Sequence, residues 1–274
     1  MAASSWQGHN MTVIIKSGAT DLNVINVLYA NVFSQSTVTY SSAAAGYPGA
    51  NAQDEQTWNS WKPTAVPAYA TVDLGAAVMC NCLGIAAHDL GTEDTSVALQ
   101  HSANGSSWTT IVAAYSPSDN SDIQVYFANT SARYWRVVIG DAVASIGVIK
   151  LGAALKFPCA PLEGHRPLHH SRKVTMLSNQ SAGGNFLGNR PVKLGAETGV
   201  NIGMVDRDWA ENDLAEFETH FNNGGAFFYC GSPSDTPKDA GYCRREGGNE
   251  MSITWVEGDI MADVSFEMTA YVAS

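Results

Sequence analysis

Residues Tyr40–Gly75 read YSSAAAGYPGANAQDEQTWNSWKPTAVPAYATVDLG. The stretch holds a run of small residues, a Gly-Tyr-Pro-Gly turn, an Asn/Asp-rich loop, Trp58, Trp61 and the prolines Pro48, Pro63 and Pro67. It ends in a strand that closes on Asp73-Leu74-Gly75. Glycine and proline at this density set backbone angles and remove donors, so a helix is excluded and an ordered loop feeding a strand is expected. Trp58 and Trp61, the bulky apolar groups of the loop, are expected to pin it against a core.

Beyond this loop the chain becomes a series of short β segments: 69–73, 78–87, 96–102, 108–113, 122–128, 133–139 and 145–151. Gly, Pro, Asn and Ser separate them, which is the pattern of an antiparallel sandwich. Asn104-Gly105 is the strongest hairpin signal, because both residue types tolerate positive φ. In Arg133–Ile139 (RYWRVVI), Trp135, Val137 and Ile139 alternate inward. Ahead of the loop, residues 1–10 read as a polar tail and Met11–Ile15 as a short strand. Leu22–Phe33 could be a strand or a helical turn, and the placement of residues 1–35 stays open.

The order S-S-x-x-x-G-Y-P-x-x-N-A-x-D, then W-x-P, then a strand ending D-L-G, resembles the opening of discoidin-like (coagulation factor 5/8 type C) galactose-binding β-sandwiches, with the bacteriophage-tail versions most similar. Ser96–Ser102 (SVALQHS) and Trp108–Val112 (WTTIV) around the Asn-Gly turn resemble that family's central hairpin. RYWRVVI resembles its late strand. The resemblance spans residues 24–152 and implies a jelly-roll sandwich whose end loops hold glycans or other ligands.

A Pro/Gly-rich connector follows, and the second half reads differently. Lys173–Ser178 and Val192–Val205 are expected strands around a glycine-punctuated loop, SAGGNFLGNRP. One helix is expected, with Asp208 as N-cap, Glu211 completing a capping box, and Ala210, Leu214, Phe217 and Phe221 on its apolar face. Asn223-Gly224 stops it. Strands follow, and in the last of them Val264, Phe266, Met268 and Ala270 alternate with polar residues. The expected architecture is therefore mainly β. A discoidin-like sandwich occupies 1–152, a linker 153–172, and an α+β barrel or sandwich with one helix 173–274. The helix ending in Phe217–Tyr229 and the strands around it resemble the ring-forming domain of siphophage distal tail proteins.

The chain has 274 residues and a formal charge of −11, which argues against nucleic acid as a partner. No apolar run approaches a membrane span. The N-terminus has no basic n-region, so a reducing compartment and free thiols are expected for the five cysteines. Cys80 and Cys82 are expected to lie on one face of a strand as small apolar groups rather than as a metal site. Nucleophile elbow, phosphate loop, dinucleotide fingerprint and H-E-x-x-H are all missing, so no enzyme activity and no cofactor are expected.

Two clusters remain as candidate sites. His88, Asp89, Glu93 and Asp94 share one loop between sandwich strands, and three readings stay open: ligand contact, cation binding or a solvated turn. Tyr47, beside Pro48, is a candidate exposed aromatic. Trp58, Trp61 and Trp108 are either sugar-stacking surfaces or core anchors. His165, Arg166, His169, His170 and Arg172 make a basic run in an acidic chain. Pro167 argues against a helical metal site there, and three readings stay open: a solvated linker, a basic arm that meets an acidic face of a neighbouring copy, or a metal site.

The two resemblances together imply a structural protein of a tailed-phage virion, assembled in the host cytoplasm. Its partners would be copies of itself, neighbouring tail proteins and a host-surface glycan. The alternative is a soluble carbohydrate-binding, lectin-like protein, and a third reading is a non-catalytic fragment of a glycoside-active enzyme.

Overall fold

The computed structural model describes residues 11–34, 37–256, 258 and 260–272, and the backbone alone of residues 191–194. The expected tail, residues 1–10, lies outside the described residues. Strands β1 (Thr12–Ile15), β2 (Asn26–Leu28) and β3 (Thr37–Tyr40) precede the long loop. After it come β4 (Ala68–His88), β5 (Val97–Ser102), β6 (Thr109–Tyr115), β7 (Ile123–Ile139) and β8 (Ile146–Gly152). The short β9 (Leu155–Lys156) leads to β10 (Arg172–Gln180) and β11 (Phe186–Asp206). Helices α1 (Arg207–Asn212) and α2 (Ala215–Asn222) precede β12 (Phe227–Cys230), β13 (Ala240–Arg245), β14 (Ser252–Val256) and β15 (Met261–Ala270).

The sandwich is built on the antiparallel ladder between β4 and β7. Its register breaks between Asp73 and Val78, where Gly75 takes φ 73° and the exposed ladder turns a corner. Before the corner, Ala68–Asp73 pair with Tyr134–Ile139, and β5 and β6 extend that leaf. After it, Val78–Ile85 pair with Ile123–Ala132, and β8 joins beside β4. Trp135, Val137 and Ile139 from one leaf meet Leu83, Ile85 and Ile149 from the other in a single core, as the period-two pattern required.

The second sheet runs β10-β11-β15-β13-β12-β2-β9, with β14 beside β15. β2, although it lies ahead of the sandwich in sequence, pairs with β12 and β9 in this second sheet, whereas β1 joins the first. Alternation in β12 explains how the sheet buries both faces. Phe227 and Tyr229 enter the core beneath the helices, and Phe228 enters the layer against the sandwich. In that layer Phe228 and Tyr242 meet Leu28, Cys82, Ala86, Tyr126 and Val148. A Cβ on Gly84 would sit 2.4 Å from the Phe228 ring, so close sheet-to-sheet contact there requires glycine.

Three expectations are corrected. The single helix is two short ones, and the N-cap is Asp206, whose side chain accepts the N–H groups of Asp208 and Trp209. The apolar positions Ala210, Leu214, Phe217 and Phe221 are nevertheless all buried. The loop expected over SAGGNFLGNRP shortens, because β11 starts at Phe186 and pairs along β10. Pro191 pairs with Met176 beside a register shift between Thr175 and Met176. Cys80 and Cys82 do not share a face. A register irregularity lies between them, and it turns Cys80 into the sandwich core and Cys82 into the layer between the sheets.

Candidate functional site

Loops 41–67, 89–96, 116–122 and 140–145 meet at one end of the sandwich and lock one another. Trp61 exchanges both backbone bonds with Ile146 at 2.9 Å, and its indole N–H donates to the Ser42 carbonyl. Asp89 accepts the Ser145 N–H at 2.5 Å. Thr92 and Asn120 exchange two hydrogen bonds of 3.0 and 2.8 Å. The Ser96 hydroxyl donates to Asp141, and the Thr95 hydroxyl accepts the N–H groups of Asp141 and Ala142. A Cβ on Gly91 would lie 2.3 Å from the Asp119 carbonyl oxygen, so the loops approach at the backbone level.

His88, one of the candidate ligand residues, is buried inside this arrangement and ties two of its loops together. It donates from Nε2 to the Ser121 carbonyl at 2.8 Å and accepts the Leu90 N–H at Nδ1. Burial pushes its pKa down to about 4, against the pull of the Ser121 carbonyl and the Asp89 and Asp119 charges. Asp122, on the same loop as Ser121, is buried between the sheets, and burial pushes its carboxyl up to about 7 despite the Tyr242 and Ala87 N–H groups. Asp89 is half-buried and committed to Ser145, while Glu93 and Asp94 are exposed, with Glu93 4.0 Å from Lys62.

These two buried groups act on stability with opposite sign. His88 stays neutral in the fold while the unfolded chain protonates, so its contribution is lost as pH falls from about 6.5 to about 4. Asp122 stays protonated in the fold while the unfolded chain ionises, so its contribution is lost as pH rises from about 3.8 to about 7. Thermal melts of His88→Gln and Asp122→Asn over pH 4–6.5 are expected to slope in opposite directions, each by up to about 1.4 kcal/mol per pH unit. Parallel slopes would remove the assignment.

The three candidate tryptophans separate by environment. Trp61 is fully buried. Trp108 has a ring face covered by the Arg136 guanidinium, 4.0 Å from its centroid, with Tyr69 4.6 Å away on the same cation. Trp58 is 81% exposed, which corrects the expectation that it pins the loop. The loop beneath Trp58 is nonetheless ordered. Asp54 accepts the Gln56 N–H at 3.1 Å and the Asn59 amide at 2.6 Å, Asn51 donates to the Ser60 carbonyl, and the Trp58 indole N–H donates to Gln56. Tyr47 is 45% exposed on the same loop. Nothing in the Trp58 context distinguishes it from Trp61 except that Trp61 sits three residues nearer the strand, where the chain closes on β8.

Residues 36–149 match the F5/8 type C domain. That stretch is an F5/8 type C domain. None of the curated proteins matches the chain. Among solved structures, the chain is similar to chitosan-binding module 1 of a chitosanase/glucanase from Paenibacillus sp. IK-5, with 22% identity, TM-score 0.38, and 45% of this chain and 98% of that one covered. It is also similar to the CBM32 of AlyQ in complex with 4,5-unsaturated mannuronic acid, with 25% identity, TM-score 0.38, and 45% and 96% covered. A third is a CBM32 from Clostridium perfringens in complex with GalNAc-β-1,3-galactose, with 17% identity, TM-score 0.38, and 45% and 100% covered.

The basic run lies away from the loop end of the F5/8 type C domain. His165 places Nε2 2.8 Å from the Asp239 carboxylate and Nδ1 3.1 Å from the Gly199 carbonyl. Burial alone would lower its pKa, but Asp239 and the Gly199 carbonyl hold it above the usual value. Asp239 also accepts the Leu168 N–H, Arg166 donates to the His170 carbonyl, and His169 Nδ1 lies 3.1 Å from the Lys238 carbonyl. His165–His170 are thus folded onto their own chain rather than forming an arm, and Arg172 begins β10. Among the described residues, no group of three or more His, Cys, Asp or Glu could hold a metal ion.

Proposed function

We propose that the protein binds glycan at the loop end of its F5/8 type C domain, without catalysing a reaction. The observation that carries this reading is Trp58, an indole 81% exposed on a loop held by its own hydrogen bonds. An aromatic face of this kind suits the C–H face of a sugar ring, and a preordered loop avoids an ordering cost on binding. Lys62, Glu93 and Asp94 supply donors and acceptors for hydroxyls on the surrounding loops, with Tyr47 as a second aromatic. The phage-tail expectation has no support from the family match or the structures named above, so carbohydrate binding takes its place as the main reading.

A glycan array probed with the full-length chain, followed by calorimetric titration of a hit, tests the proposal. Trp58→Ala is expected to weaken binding by about 2 kcal/mol, roughly 30-fold, with the melting temperature unchanged because the ring packs against little. A variant that binds like the wild type, or a wild type that binds no glycan, would sink it.

A further inference from the structure

β10 and the outer part of β11 form a two-stranded ribbon. Positions 172–180 pair with 186–196, and β15 joins β11 only from Ala196 onward. Nine residues at about 3.3 Å each make an arm roughly 30 Å long. Nearly every described side chain on it is exposed, including Val174 (45%), Met176 (47%), Leu177 (53%), Leu187 (66%) and Phe186 (85%). A two-stranded ribbon is marginal in water by itself, and apolar groups concentrated this way mark a contact surface.

The charge of the arm identifies what it contacts. Residues 172–196 contain four Lys and Arg and no Asp or Glu, leaving eleven basic against all 26 acidic residues elsewhere in the chain, and at the base of the arm Lys173 pairs with Glu197. The opposite character lies along α1 and the first turn of α2. Residues 206–218 carry six carboxylates against Arg207 alone, and Asp206, Asp208, Glu211, Asp213 and Glu216 are exposed. Beside them lie the exposed apolar groups Met204 (49%), Trp255 (37%) and Ile260 (62%), linked by Arg207, which stacks on Trp255 and donates its N–H to the Ile260 carbonyl. An apolar tip on a basic stem thus has its counterpart in an apolar patch beside an acidic helix. The arm does not fold back onto that patch in its own chain, since Phe186 stays exposed.

We propose that the β10–β11 arm of one copy docks on the α1 surface of a second copy. Phe186 and Leu187 lie against Met204, Trp255 and Ile260, and the basic stem faces the α1 carboxylates. The two surfaces are different, so the contact is head-to-tail and continues from copy to copy, as a ring where the rotation closes. The inference stands independently of the glycan reading, because the arm and the sandwich loops share no residue.

Light scattering on the full-length chain over a concentration series is the test. The wild type is expected above its 29.1 kDa monomer mass, with association weakening as salt rises. Phe186→Ser/Leu187→Ser on the arm and Asp208→Lys/Asp213→Lys on the helical surface are each expected to weaken self-association at least tenfold. All four positions are exposed, so the melting temperature should hold, and Arg190→Glu is the second arm variant if the serine pair fails to fold. Each defective copy keeps one working surface, so mixing the arm and helix variants should give a one-to-one pair and nothing larger. A monomeric wild type at every concentration, or a helix variant that still assembles like the wild type, overturns the proposal.

Discussion

Lys150→Ala is expected to lower stability by about 3 kcal/mol, at the lower end of the range for breaking a buried ion pair, and the melting temperature by roughly 10 °C. The Lys150 side chain has no exposed surface, although it lies on a strand of the sandwich. Its ammonium donates to the Glu55 carboxylate, to the Tyr29 carbonyl at 3.1 Å and to the Ala226 carbonyl at 2.7 Å. Truncation leaves all three acceptors without that donor, and a buried acceptor without a donor costs more than the bond itself contributes. Glu55 is part-exposed, so water recovers some of the loss, which sets the lower figure. A second effect follows at the Trp58 loop. Glu55 sits at φ 64° three residues before Trp58, and its other oxygen accepts the Ala226 N–H at 2.9 Å. Its backbone carbonyl accepts the Tyr242 hydroxyl at 2.8 Å. Releasing Glu55 should therefore weaken the proposed glycan binding as well as the fold. A melt shifted by less than about 2 °C would show that the ammonium is dispensable.

Residues 1–152 expressed alone are expected to fail as a soluble folded unit, although they contain the whole F5/8 type C match. Cutting there removes β12, the partner of β2, and uncovers Leu28, Cys82, Ala86, Tyr126 and Val148, which are buried against Phe228 and Tyr242. Burial of one large apolar side chain contributes about 1.5–3 kcal/mol, so the loss is on the order of 5 kcal/mol or more, comparable with the whole stability of many domains. Lys150 would also lose the Ala226 carbonyl, and Glu55 the Ala226 N–H. Soluble yield and a thermal melt beside the full-length chain are the measurements. A fragment that melts cooperatively at the full-length temperature would show that the second sheet is only attached to the sandwich, not part of its stability.

The contrast between Trp135 and Trp58 shows which features can be read locally. Trp135 sits in a strand whose alternation with Val137 and Ile139 assigns it to the core, and all three are fully buried. The Asn104-Gly105 hairpin, the helical positions Leu214, Phe217 and Phe221, and the alternation of β15 follow the same logic, since each depends on neighbours within a few residues. Trp58 and Trp61 lie in one loop with similar flanks, and their burial depends on where β8 and the β4 strand pass, which no local pattern encodes. The same holds for Cys80 and Cys82, where one irregular ladder position reverses the face, and for Lys150, whose burial depends on the distant carbonyls of Tyr29 and Ala226.

Mainly β character, the order of motifs that marks the F5/8 type C half, the positions of most core strands and the helix stop at Asn223-Gly224 follow from short-range physics, namely side-chain period, turn chemistry and donor loss at proline. Long-range pairing decides the rest. It places β2 in the second sheet, bends one ladder into two leaves, buries His88 and Lys150, leaves Trp58 in water, and extends β10 and β11 past the sheet as an arm. These outcomes depend on which surfaces, far apart in the chain, exclude water from each other.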